Sequence, residues 1–256
     1  MGCSKQLSLS PAAPAGAHLS FYWTMDEGGG ASRVDSTVGL AWPTKFGSLA
    51  AAGLFSNGIG LSRPLIINQN PGLEITTGAI TINQATSTGI SVWFWLKITD
   101  FGSAGSSGRY NMDTSDPMHT NRFRALWGFT DATTGSIEVG HTNDTDDVFA
   151  DTPNLAWVLN SWHMVVITYN KTAQTLNIYI DGAISATAPD AFTYPDLTNT
   201  DMILDDTSFG SILETAVVDE LGMCLGGVLT QAQITALYNG GAGVTWPNIT
   251  PIVPYP

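Results

Sequence analysis

Charge is scarce in this chain. Of its 256 residues only 12% are Asp, Glu, Lys or Arg, and nine basic residues stand against 22 acidic ones. A formal net charge of −13 argues against nucleic acid, whose phosphates need a basic patch. It equally disfavours an anionic membrane surface. Cysteine is scarcer still, with only Cys3 and Cys224. Two cysteines draw no disulfide framework, so two free thiols are expected. No apolar run is long enough to span a bilayer. The first residues lack a basic stretch followed by an apolar one, so no secretory signal is read there, and the chain is expected to start at its own Met. Met1-Gly2-Cys3-Ser4-Lys5-Gln6 starts like a myristoylation site, but Gln6 stands where Ser or Thr is required. Helical periodicity is almost absent.

What is present suits strands and turns. The chain is 43% hydrophobic, enough for a sizeable core, and carries 27 glycines. One large all-β domain with irregular ends fits this length. The strongest signal runs from Ser161 to Gly182. Trp162 to Tyr169 is β-branched and aromatic. Trp162, Met164, Val166 and Thr168 share one face; His163, Val165, Ile167 and Tyr169 share the other. Both faces are largely apolar, so this strand is expected to be central, with Trp162 buried between the sheet and its cover. Asn170 to Gln174 is a hairpin-length loop. Leu176, Ile178 and Ile180 then alternate with Asn177, Tyr179 and Asp181, and Asp181-Gly182 is a turn.

Other segments fall in order around it. Residues 1–17 are a Ser/Ala/Pro arm. Leu19 to Met25 is a first strand before a Gly28-Gly29-Gly30 loop. Residues 73–76 and 79–82 read as short strands. Ile90 to Ile98 is a very apolar strand, with Val92, Phe94 and Leu96 on one face and Trp93, Trp95 and Lys97 on the other. Residues 100–121 read as a long polar insertion, and residues 141–151 as an acidic loop. Residues 188–199 read as a further loop. Residues 202–204, 208–212 and 216–223 are the last strands. Thr230 N-caps a helix over 231–238, which Gly240-Gly241 stops. Residues 244–256 are a Pro-spaced extended tail.

Three of these segments carry a family resemblance. They are the Trp162-His163 strand with its Leu-x-Ile-Tyr-Ile-Asp-Gly return, Phe21 to Glu27 with Asp35-Ser36, and Val218 to Gly222 followed by Leu229 to Gly241. Together they resemble the laminin-G-like, concanavalin-A-like lectin jelly-roll superfamily over roughly residues 18–243. The resemblance implies an antiparallel β-sandwich of jelly-roll type with one short C-terminal helix. It implies little about function, because this fold hosts lectins, adhesion modules, glycan-active enzymes and structural proteins.

Glycoside hydrolases need two carboxylates flanking the scissile bond. In the glucanases of this fold these sit on one strand at alternating positions. The five glutamates here, Glu27, Glu74, Glu138, Glu214 and Glu220, form no such pattern. The Gln-x-His strand of the fold's polysaccharide lyases is also missing, so no enzyme is expected. His163 reads as a satisfied histidine rather than a metal ligand, since no second His lies at ligand spacing. Most of the tryptophans read as core. Trp157, beside the acidic Asp144, Asp146, Asp147 and Asp151, is the candidate sugar platform. Domains of the resembling kind often hold a structural calcium where the first and last strands meet. Asp26, Asp35 and Asp219 are the candidate ligands, and the alternative is that Asp26 and Asp219 only cap turns.

Two functional classes stay open. The first is a structural or interaction module of a virion surface, a decoration or tail-associated protein whose arm and tail dock onto other subunits of an oligomer. The second is a carbohydrate-binding, lectin-like adhesion module. Either places the protein on a virion surface or outside a cell.

Overall fold

The computed structural model describes residues 17–24, 33–34, 36, 41–42, 44–45, 49–52, 57–61, 72–82, 87–100, 107–114, 122–129, 134–142, 147–152, 155–156, 158, 160–190, 197–204 and 215–254. In chain order the strands begin with β1 (Phe21–Trp23), β2 (Arg33–Val34), β3 (Ala41–Trp42), β4 (Thr44–Lys45), β5 (Leu49–Ala52) and β6 (Asn57–Leu61). Next come β7 (Gly72–Ile82), β8 (Gly89–Asp100), β9 (Ser107–Thr114), β10 (Arg122–Phe129), β11 (Thr134–Thr142) and β12 (Asp147–Asp151). The series closes with β13 (Leu155–Ala156), β14 (Trp162–Asn170), β15 (Thr175–Ile180), β16 (Ala183–Pro189), β17 (Leu197–Leu204) and β18 (Thr215–Cys224). Helix α1 (Gln231–Tyr238) follows.

The strands form two large antiparallel sheets and a two-stranded one, β2-β3. The first runs β16-β15-β14-β8-β18-β6-β5, with β1 also on β18. β6 pairs with residues 216–218 of β18, and β1 takes over that edge at residues 221–223. The second runs β12-β11-β10-β9-β17-β7-β4, with β13 also on β11. This is the expected all-β sandwich, with one short α-helix among the described residues.

The central hairpin forms as expected, with β14 in the interior of its sheet. β14 lies between β8 and β15, pairing Val165 with Phe94 on one side and with Ile180 on the other. Met164 to Tyr169 are all buried, as apolar side chains on both faces require. At the far end, Asp181 (φ 53°) and Gly182 (φ 80°) both take positive φ, the pattern of a two-residue hairpin turn.

Alternation along β8 and β14 defines two surfaces of the first sheet. Val92, Phe94, Leu96, Val165 and Ile167 point one way and are fully buried. Trp93, Trp95, Met164 and Val166 point the other way, onto an outer face that carries its own cover. The cover consists of residues 17–19, helix α1 and the tail, with Ile234, Leu237, Ile249 and Val253 packed into one cluster with the outer-face aromatics. Thr230 caps α1 through a capping box with Gln233, as the sequence indicates. The residue that ends the helix is Asn239 in the left-handed region (φ 49°), with Gly240 only following it. The amide of Asn239 donates to the Gly243 carbonyl at 3.1 Å, which lets asparagine serve there.

Several expectations are corrected. The polar stretch 100–121 is not one loop, because β9 lies within it and pairs with both β10 and β17. The acidic stretch 141–151 is partly strand, with Asp147 opposite Thr142 and Asp151 opposite Glu138. Residues 183–189, unassigned above or read in part as loop, form the edge strand β16. The short strands at 73–76 and 79–82 are one strand, β7.

The largest change concerns the tail. Expected to reach neighbouring subunits, residues 244–254 fold back on their own sheet, with Ile249 and Val253 completely buried. The Gln233 amide donates to the Ile252 carbonyl at 2.9 Å, and the Leu19 N–H donates to the Pro254 carbonyl at 2.8 Å. The apolar tail side chains find the open aromatic face of their own chain, and covering it is favourable without a partner. The calls on residues 1–16, 208–212 and 255–256 lie outside the described residues.

Candidate functional site

Two polar constellations interrupt the apolar outer face. The first sits on β18, where four residues, Asp219 to Gly222, span the length that Trp95 to Trp93 covers on β8. The extra residue is a β-bulge, and Glu220 absorbs it at φ 53°. Gly222 is required beside it, since a Cβ there would lie 2.0 Å from the Trp93 ring.

Glu220 is buried, and its carboxylate is held by hydroxyls. Tyr22 donates to Oε2, and Thr245 donates to Oε1 at 2.9 Å. The Glu220 N–H donates to Asp219 Oδ1 at 3.1 Å, and Asp219 is itself fully buried. Burial and then the charge of Glu220 push the Tyr22 hydroxyl well above its ordinary pKa, so Tyr22 stays a neutral donor. The node therefore joins the first strand, the last strand and the tail. Both carboxylates lie in one bulge of one strand, and the oxygens of Glu220 are occupied by hydroxyls. Such a pair does not flank a glycosidic bond.

The second constellation lies where the outer-face aromatic row ends. Trp162 pairs with Lys97, so the two side chains share the outer face, and Lys97 Nζ lies 4.7 Å from the centre of the Trp162 ring. One pair inward, Met164 faces Trp95, and Tyr238 at the end of α1 stacks on Trp95 with centroids 6.0 Å apart and planes 20° apart. Tyr238 also lies against Gly182, where an added Cβ would come within 3.2 Å of its ring. The Gln231 amide donates to the Gly182 carbonyl at 2.6 Å, locking the helix onto the hairpin turn.

Asp181 anchors this end. Its Oδ1 accepts from the Met164 N–H at 2.9 Å, and its Oδ2 lies 2.8 Å from His163 Nδ1. His163 Nδ1 is thus engaged by the Asp181 carboxylate. Burial and then the charge of Asp181 raise the Tyr238 hydroxyl pKa. Trp93 and Trp95 are 2% exposed, whereas Trp162 and Tyr238 are only half-buried. The side chains of His163 and Asp181 are 21% and 30% exposed. The expectation of a fully buried Trp162 is therefore corrected: it packs against the edge of the outer-face cluster and is only half-buried, with Lys97 over its ring.

The candidate residues named from sequence are only partly in view. Asp219 sits in the bulge. Asp26, Asp35, Asp144, Asp146 and Trp157 lie outside the described residues, and Asp147 starts β12. Among the described residues no group of three or more His, Cys, Asp or Glu side chains is placed to hold a metal ion. Cys224 carries a free, fully buried thiol whose pKa burial raises. Lys97, Asp181 and Tyr238 were not singled out from sequence. The available signals were a lysine ending an aromatic strand and a tyrosine ending a capped helix.

A laminin G family model, described as the Concanavalin A-like lectin/glucanases superfamily, matches residues 72–235. The chain belongs to this superfamily. No curated protein matches it in sequence. Solved structures with the superfamily's fold include domain 4 of AbnA, an extracellular GH43 arabinanase of Geobacillus stearothermophilus, in complex with arabinotriose. That likeness has TM-score 0.59 and 16% identity, covering 86% of this chain and 98% of that one. The botulinum neurotoxin serotype D binding domain matches with TM-score 0.60 and 15% identity over 87% of this chain. The binding domain of botulinum neurotoxin DC, in complex with rat synaptotagmin II, matches with TM-score 0.55 and 14% identity over 84% of this chain. This chain spans about half the length of each neurotoxin binding domain (52% in both).

Proposed function

We propose that this protein is a non-catalytic carbohydrate-binding module acting outside a cell or on a virion surface. The observation that carries the reading is the end-to-end likeness to a domain solved with arabinotriose in place, covering 98% of that chain. Three of the described carboxylates agree with it. Asp219 and Glu220 are tied into the fold, and Asp181 is tied to the turn it occupies. The test is a glycan array probed with the purified full chain, with arabinotriose titration by calorimetry beside it. Saturable binding of at least one oligosaccharide with none of it hydrolysed is the expected result. Cleavage of the bound sugar, or no binding at all, overturns the reading.

A virion decoration or tail-associated subunit is the second reading. The surplus of 22 acidic over nine basic residues favours it, since crowded copies with that charge stay soluble. Its other support has weakened, because the tail spends its apolar residues on its own sheet. Sedimentation of the protein from its native source as part of a large particle would favour this reading.

Structural calcium remains a proposal. Of its three suggested ligands the described residues supply only Asp219, and calcium takes six to eight oxygens, so these residues alone do not fit the ion. Asp26 and Asp35 would have to complete it. An ion bound only by the folded state raises stability by mass action, so a chelator should lower the melting temperature. An unchanged melt removes the ion.

A further inference from the structure

We infer that the half-open aromatic end of the outer face, formed by Trp162, Lys97, Tyr238 and Asp181, is the sugar-binding site, and that its ligand is a neutral oligosaccharide. This rests on the carbohydrate-binding reading above. The outer aromatic row starts as core and ends as surface. Tyr22, Trp93 and Trp95 are buried under the tail and helix, while Trp162 and Tyr238 pack against the same cluster but are only half-buried. Large aromatics with one face packed and an edge wet suit the apolar C–H face of a sugar ring.

Polar groups border the rings. Asp181 uses one direction of each carboxylate oxygen on Met164 and His163. A carboxylate offers about four acceptor directions, and the side chain is 30% exposed, so acceptor capacity is left toward solvent. Tyr238 contributes a hydroxyl, and Lys97 contributes a donor on a flexible stem over Trp162.

The platform is pre-organised, because Tyr238 is stacked on Trp95, Gln231 binds the Gly182 carbonyl, and Asp181 is held by a main-chain N–H. Little side-chain freedom is then lost on binding. Charge selects the class of ligand. The chain's net charge of −13 repels polyanions. A neutral sugar meets no such penalty.

The test pairs an array of neutral and acidic oligosaccharides with two variants. Trp162→Ala removes the platform. Tyr238→Phe keeps the stack on Trp95 and removes only the hydroxyl, so it preserves the fold. With the best array ligand, affinity should fall at least tenfold in the first and about threefold in the second. In the native protein the Trp162 indole N–H resonance should shift on titration with that ligand. If a neutral sugar binds but neither Tyr238→Phe nor the Trp162 resonance responds, the location is wrong and the carbohydrate-binding reading stands. If only acidic glycans bind, the ligand class is wrong. If no glycan binds, the reading beneath the site fails with it.

Discussion

At Glu220 a single residue sets both a backbone path and a buried charge. A non-glycine residue in the left-handed region costs roughly 1–2 kcal/mol. Here that cost is offset because the bulge turns the carboxylate toward the hydroxyls of Tyr22 and Thr245. Replacing Glu220 by Gln puts an amide donor against one of those hydroxyl donors and removes the charge. A loss of about 1–3 kcal/mol is expected, the range for leaving a buried polar group poorly paired. It would be read as a lower urea midpoint at unchanged slope, and an unchanged midpoint would show that the node contributes nothing. Alkaline pH acts on other buried groups. Burial and the charge of Asp190 push the Tyr169 hydroxyl up to about 12. An unfolded tyrosine titrates near 10, so between about pH 10 and 12 the unfolded chain releases a proton that the fold retains, and stability falls as pH rises. Burial raises the Cys224 thiol in the same direction, and its contribution begins to be lost above the unfolded thiol value of about 8.5. Urea midpoints measured from pH 8 to 11.5 should therefore decline from just above 8.5 and steepen past 10. Tyr169→Phe should remove up to one proton from that slope, about 1.4 kcal/mol per pH unit. An identical slope in the variant would mean that Tyr169 ionises as freely in the folded state.

Among the elements, the tail acts as a structural cover. It closes the face carrying Tyr22, Trp93 and Trp95, and Ile249 and Val253 are its anchors. Ile249→Ala should cost about 2–5 kcal/mol, the range for truncating a buried isoleucine. Deleting residues 244–256 should lower the melting temperature sharply and expose apolar surface to a hydrophobic dye; a deletion that melts like the full chain would return the tail to the role of a free arm. The sequence shows why this was missed. Elements whose cause is local were legible, as with the β14–β15 hairpin, the Asp181-Gly182 turn and the Thr230 cap. β9, with sequence SGRYNMDT, alternates only at Tyr110 and Met112, and β16, with AISATAP, alternates mostly through small alanines; patterns this weak are settled by their neighbours in the sheet. The tail's prolines report an extended chain but not what it lies against. The candidate site was hidden for the same reason. Its residues lie on β8, β14, α1 and a turn, and whether Trp162 is core or surface depends on where the cover ends.

For the whole molecule, the decisive contact is between its first and last strands. β1 pairs with β18 in the register Phe21 to Met223, and Leu19 hydrogen-bonds to Pro254. The first and last described residues thus lie side by side on the outer face. Closing a loop of that length carries an entropy cost that grows with its logarithm, and long-range strand pairing of this kind slows folding. A circular permutant should relieve it. Joining Pro254 to Ala17 through a short Gly/Ser linker makes the β1–β18 pairing local. New ends can be opened between Thr172 and Ala173, both exposed in the turn after β14. That opening sacrifices the hydrogen bond from the Ala173 N–H to Asn170 Oδ1 at 2.9 Å, while the β14–β8 and β15–β16 ladders remain. Compared with a linear chain of residues 17–254, the permutant should show the same far-ultraviolet circular dichroism. It should melt no more than a few degrees lower and refold faster from urea. The glycan that the linear chain binds should bind the permutant with equal affinity, because the turn opened lies at the opposite end of the hairpin from Asp181 and Trp162. A permutant that fails to fold, while the linear chain of residues 17–254 folds, would mean that the two ends do not meet as Leu19 and Pro254 do here.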